Sequence, residues 1–318
     1  MKTLRLFTNL CFFLLAGSAF SQVGLQGIVV EKYYQANAAD ASGQEGGAAV
    51  PLTSSSVTYR VYVDMNAGWK LNTIFAVAGN SLTVNSTAGF YNHPSNSAET
   101  ALGALSAGNN ANTHSALDSW FTMGMTYSGK QGILKSEDTD GSVFTQSNGL
   151  LTHNPGGCFG LPIKGSGAQD GYLPVSPNIG NNALAGFSNI PALSASSTSG
   201  SITITDGSLA VLGGITGAIA SSNMVLIGQF TTTGQLSFAL NLQIQNGSTV
   251  ENYYASNPPS GSGNFTHSTL TLAPNTPPTV TLASAPSTSG IITGTSMTFT
   301  ATATDNGGSV TGVQFFDN

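Results

Sequence analysis

The chain has 318 residues, 40% apolar and 7% charged, with fourteen acidic residues against eight basic ones and a net charge of −6. Acidity of this kind, with no basic cluster anywhere, excludes nucleic acid and anionic lipid as natural partners. Charge at well under the roughly 25% of an average globular protein leaves Ser, Thr, Asn, Gln and Gly to cover the surface. That composition suits exposed strands and long loops better than helices.

Residues 1–21 read as a secretory leader. Lys2 and Arg5 give the charged start, Leu10–Leu15 an apolar run, and Ala19-Phe20-Ser21 a cleavage site before Gln22. The apolar run is too short to span a membrane, and Cys11 has no lipobox before it. The expected product is an exported chain with no membrane span and a net charge near −8, since Lys2 and Arg5 leave with the leader. It keeps one thiol, Cys158, so no internal disulfide is available. Roughly 250 residues in one domain bury enough surface to do without one.

Strand periodicity begins at Gly27–Tyr34, and 37–55 reads as a small-residue loop. In Ser56–Val77, Val57, Tyr59, Val61, Val63 and Met65 alternate with Thr58, Arg60, Tyr62 and Asp64. After the turn residues Asn66-Ala67-Gly68, the alternation restarts with Trp69, Leu71, Thr73, Phe75 and Val77. Two half-buried strands joined by a tight turn predict an antiparallel hairpin. Leu82–Ser86 is another short strand, and Ser97–Leu105 is long enough for a turn or two of helix. Asp118–Tyr127 alternates again, with Phe121, Met123, Met125 and Tyr127 opposite Trp120, Thr122 and Gly124. Residues 128–200 are rich in Gly, Asn, Ser and Pro and read as long loops with short strands. Ser201–Thr205, Ser208–Leu212, Met224–Phe230 and Gln235–Gln245 then follow as strands. The last places Leu236, Phe238, Leu240, Leu242 and Ile244 on one face and Ser237, Asn241, Gln243 and Gln245 on the other.

Many short strands with turn signals predict an all-β fold, a large antiparallel, jelly-roll-like β-sandwich over 22–273, with a barrel as the alternative. Residues 274–278 form a stiff Pro-rich linker. Beyond it, Thr279–Ser284, Ser296–Asp305 and Ser309–Phe316 are three strand patterns in about forty residues, where an immunoglobulin-like sandwich takes about 100. Residues 279–318 are therefore expected to be a partial domain of a longer protein.

The segment 277–318, with PPTVTLAS, MTFTATATDNGG and VQFFDN, resembles the bacterial immunoglobulin-like modules of secreted surface proteins and polysaccharide-degrading enzymes. The stretches at 58–77, 86–94, 118–124 and 227–245 resemble an uncharacterised β-domain near the start of exported bacterial proteins. In those proteins such modules and a type IX secretion sorting signal often follow. The resemblance implies location and architecture, and brings no catalytic residues with it.

Trp120 and Tyr91 are the candidate ligand-contacting aromatics. Trp120 stands opposite Phe121 on its strand, and an exposed ring with a polar edge suits stacking on a sugar; the competing reading is a satellite core under a covering loop. Glu137, Asp138 and Asp140 lie close together, and an Asp-x-Asp-Gly loop can supply oxygens to calcium; the position that would complete an EF-hand is Gly149. A solvated turn is the competing reading, and no other cofactor is indicated. Glycoside hydrolysis needs two facing carboxylates, and no spacing singles out a pair among Asp64, Glu99, Asp118, Asp170, Asp206 and Glu251. There is no Gly-x-Ser-x-Gly, and His93, His114, His153 and His267 show no zinc spacing. The expectation is a non-catalytic exported or cell-surface module for adhesion, for glycan binding or for display of further domains. Its partners would be polysaccharide or other surface proteins. The rival is an accessory region of a secreted polysaccharide-degrading enzyme, which leaves the question of an enzyme open.

Overall fold

The computed structural model describes residues 24–94, 114–127, 130–138, 171–173, 182–185, 187, 189–274, 278–285, 292–294, 296–305, 310 and 312–314. The first strands are β1 (Leu25–Gln35), β2 (Val57–Met65), β3 (Lys70–Ala76), β4 (Leu82–Ser86), β5 (Trp120–Phe121) and β6 (Met125–Tyr127). Next come β7 (Lys130–Gly132), β8 (Tyr172–Leu173), β9 (Asn182–Ala185), β10 (Ser201–Ile204), β11 (Gly207–Ile215) and β12 (Met224–Thr232). The chain continues with β13 (Leu236–Ala239), β14 (Leu242–Asn246), β15 (Thr249–Tyr254), β16 (Asn264–Thr266), β17 (Thr271–Leu272), β18 (Thr279–Ala285) and β19 (Thr298–Thr304). The fold is all-β, as expected.

One layer is the sheet β1-β2-β12-β5. The other is built from two sheets, β16-β15-β14-β3-β11-β9 and β10-β4-β13-β17. Three stretches of chain run from one of these sheets into the other: β3 into β4, β10 into β11, and β13 into β14. Such bends are how a sandwich turns its corners. Between the layers lies the main core, where Val61, Val63 and Met65 of β2 meet Leu71, Ile74, Leu209, Phe238, Leu242 and Ile244. Each of these side chains contributes about 1.5–3 kcal/mol on leaving water. All pairings are antiparallel except β15 with β16.

The predicted hairpin at Ser56–Val77 is corrected by this arrangement. β2 pairs with β1 and β12, whereas β3 pairs with β11 and β14. Residues 66–69 therefore arch across the sandwich from one layer to the other. Gly68 sits at φ 85°, a region closed to most side chains, and Asn223 holds the arch from the side. Its amide donates to the carbonyls of Asn66 (2.9 Å) and Trp69 (3.0 Å), and its oxygen accepts from Gly217 N (2.9 Å). The inner faces of the two strands therefore meet across the layers, which a turn signal cannot reveal.

Two further strand readings are corrected in the same way. Gln235–Gln245 keeps its five apolar residues in one core but breaks at Leu240-Asn241 into β13 and β14. Asn241 fills the break: its amide donates to the carbonyls of Phe75 (3.2 Å) and Asn80 (2.9 Å), and its side-chain oxygen accepts from Ala255 N (3.0 Å). Asp118–Tyr127 likewise splits into β5 and β6, because Gly124 at φ 84° turns the chain. β14 and β15 form a hairpin around Gly247-Ser248.

A one-and-a-half-turn helix, α1 (Ala38–Gly43), occupies part of the segment read as loop. Asn37 starts it by accepting from Ala39 N and Asp40 N, while Asp40 accepts from Asn37 N; this reciprocal capping satisfies the first-turn amides. The proposed helical turn at 97–105 lies outside the described residues. In the C-terminal part, β18 and β19 pair with each other and with no other strand among the described residues, and Val280 and Leu282 are 58% and 61% exposed. Residues 310 and 312–314 are not strand.

Candidate functional site

The outer face of the β1-β2-β12-β5 sheet is not solvated, contrary to the half-buried strand expected for β2. Arg60 and Tyr62 are fully buried beneath a second set of segments. Arg60 lies 3.5 Å above the Tyr33 ring and donates from Nε to Gln229 Oε1 (3.1 Å) and from a terminal nitrogen to Gly171 O (3.1 Å). Tyr62 donates to Ile133 O (2.9 Å). A buried cation of this kind is tolerated because its donors are met and its plane is stacked.

The structure places Trp120 and Tyr91 together within this covered region. They are 2% and 1% exposed and pack with Tyr33, Tyr34, Leu52, Ala116, Leu117 and Leu226 in a satellite cluster. Both carry a polar atom, the indole Nε1 and the phenol oxygen, buried without a hydrogen-bond partner among the described residues. Burial, with Asp118 and Glu45 adding, pushes the Tyr91 phenol far above its ordinary range. The cover is α1 with the segment after it, together with 92–94 and the helical turn His114–Leu117.

The acidic candidates part company. Glu137 accepts from Leu134 N (3.3 Å) and closes a local turn, while Asp138 accepts from Gly171 N (2.7 Å) and ties together stretches 33 residues apart. Asp140 lies outside the described residues. Among the described residues no group of three or more His, Cys, Asp or Glu is arranged to hold a metal ion. Of the carboxylates weighed for hydrolysis, Asp118 accepts from His93 N (2.8 Å), and Glu251 from Gly24 N (3.0 Å) and from the Tyr253 hydroxyl. Burial raises the Asp64 carboxyl, with the charge of Glu137 adding. Asp206 lines an open cleft of about 440 Å³ beside β10 in which it is the single acid. Glu99, Asp170, His153 and Cys158 lie outside the described residues.

The opposite outer face, on the six-stranded sheet, carries a feature that single-segment reading missed. Asn72 Nδ2 donates to Gln243 Oε1 (3.2 Å) and Gln245 Oε1 (2.9 Å), Gln243 Nε2 to Asn252 Oδ1 (2.8 Å), and Asn252 Nδ2 to Asn264 Oδ1 (3.0 Å). A row of carboxamides thus crosses β3, β14, β15 and β16. All five side chains are partly exposed, so the row meets solvent. Phe75 and Tyr254 stand on the same face with ring centroids 5.4 Å apart, edge to face. Each amide offers two donors and an acceptor oxygen with two lone pairs, so the row retains hydrogen-bonding capacity beyond its internal contacts. The outward Gln243 and Gln245 were legible in the alternation of Gln235–Gln245; Asn72, Asn252 and Asn264 join them only through long-range pairing.

No family model, no curated protein and no solved structure matches the chain.

Proposed function

We propose that this chain is an exported, non-catalytic module that contacts neutral polysaccharide through the outer face of its six-stranded sheet, and so serves adhesion or display at a surface. One observation carries the reading: five carboxamides in a continuous hydrogen-bonded row, with an aromatic pair beside them and no carboxylate in the row. Amides match the paired donor and acceptor of neighbouring sugar hydroxyls, and they do so without the desolvation cost of an ion. The partly exposed Phe75 ring, braced by the buried Tyr254, adds apolar area for the C–H face of a pyranose. Lys70 is the one charged side chain that β3, β14 and β16 bring to this face. The leader-like residues 1–21, and the resemblance of 277–318 to immunoglobulin-like modules, support export and a place in a longer surface protein. Calcium is not needed for this contact.

Affinity electrophoresis of the full chain through gels containing soluble β-1,4-glucan, β-1,3-glucan, glucomannan or xylan tests it, with polygalacturonate as the charged comparison. Retardation by at least one neutral polymer, with none by polygalacturonate, is expected. Free migration in every neutral gel would sink the proposal.

A further inference from the structure

The second outer face poses a separate question, because its aromatic floor is closed by a titratable clasp. One oxygen of Glu45, Oε2, lies 3.3 Å from His93 Nε2 and 3.1 Å from His114 Nδ1, and it also accepts from His114 N at 3.3 Å. These three residues come from three separate covering segments: the stretch after α1, the stretch 92–94 that follows Tyr91, and the turn His114–Leu117. Both imidazoles are buried, while the Glu45 side chain is 30% exposed. Acid from solvent therefore reaches the clasp through its carboxylate.

Further titratable groups face the clasp from every side. Asp40 of α1 holds Oδ1 at 3.9 Å from His114 Nε2, and its Oδ2 accepts from the Tyr34 hydroxyl (2.7 Å). Asp118 holds the His93 backbone amide, and the Tyr91 phenol senses both Asp118 and Glu45. Behind them lie Trp120, Tyr34, Tyr91 and Leu117.

We propose that the Glu45–His93–His114 clasp is an acid-released latch, which holds the covering segments over the Trp120–Tyr91 floor at neutral pH and frees them on acidification. In the closed state the His114 ring and backbone amide hydrogen-bond to Glu45, and His93 Nε2 stands within ion-pair range of the same oxygen. A second proton on His93 must be carried in a buried place, and a proton on Glu45 removes the charge on which these groups converge. Burial holds the His93 imidazole below its ordinary value of 6.5, against the pull of Glu45; the Glu45 carboxyl, which burial alone would raise, is held below its ordinary value by its own backbone amide and by contacts with His114. The sign follows from linkage. Both groups bind protons more tightly once the clasp is open, so closure is favoured above the ordinary histidine range and weakens as pH falls through it, then again through the carboxylate range. Trp120 and Tyr91, picked out in the sequence as ligand-contacting aromatics, would then become accessible only in acid.

The test uses the full chain carrying Trp69→Phe, so that Trp120 is the remaining tryptophan. Acrylamide quenching is followed from about pH 8 to about pH 5, with far-UV circular dichroism reporting the sheets. Shielded emission at pH 8 that becomes quenchable and red-shifted below about pH 6, with the sheet signal unchanged, is expected. His93→Gln keeps a donor to Glu45 but takes up no proton, and should move the opening to lower pH; His114→Gln provides a second variant should the first fold poorly. Emission that stays shielded until the sheets themselves are lost, or an opening pH that neither variant moves, would overturn the latch.

Discussion

The two outer faces of this sandwich solve the same problem in opposite ways. On the β1-β2-β12-β5 sheet the outward face carries large side chains, and Arg60, Tyr62 and Trp120 are sealed under covering segments. On the six-stranded sheet they are amides, and no cover is needed because Asn72, Gln243, Gln245, Asn252 and Asn264 partner one another while remaining partly exposed. A sheet with one hydrophobic face can leave the other to water. Here the choice differs between the two layers, and it separates a sealed face from one that meets solvent.

Breaking the covered face should have the largest effect. Trp120→Ala removes the biggest side chain of the satellite cluster, and a loss of about 3–5 kcal/mol in denaturant unfolding is expected. A loss below about 1 kcal/mol would mean that the cover does not pack as described. The arch between the layers comes next. Asn223→Ala removes three hydrogen bonds to residues 66, 69 and 217 and leaves an alanine at φ 46°. Unfolding experiments should show a loss of about 1–3 kcal/mol from the stranded backbone groups, whereas Asn223→Asp should recover only the bond to Gly217 N. Smallest is the open face. Gln243→Ala on its own should cost less than about 1 kcal/mol, because a partly exposed amide that loses a partner finds water instead.

How much of this was legible before the fold was known follows the range of the interactions. The outward and inward sides of β2 and the Gln235–Gln245 stretch were readable, because alternation is local: Val61, Val63, Leu236 and Phe238 are where their period puts them. Pairing was not. Asn66-Ala67-Gly68 carries the same turn residues in a hairpin and in an arch, and only the partners of β2 and β3, up to 175 residues away in sequence, decide between them. The polar spacing of Thr58, Arg60 and Tyr62 suggested a wet face, but stacking on Tyr33 and hydrogen bonds to Gln229 and Ile133 let that face be buried. α1 escaped notice because it is six residues long and rests on the Asn37–Asp40 cap rather than on periodicity. Of the candidate site residues, Trp120 and Tyr91 do come together, although under a cover. The amide row could be read only in its Gln243 and Gln245 half, since its other members lie on β3, β15 and β16.

The most direct trial of the open-face account is affinity electrophoresis of the wild-type chain beside the Gln243→Ala/Asn252→Ala double variant in the same neutral polysaccharide gels, with melting curves recorded for both. The account predicts that the wild type is retarded and the double variant runs free, while their melting temperatures stay within a few degrees. Equal retardation of the two proteins, or none for the wild type, would contradict it.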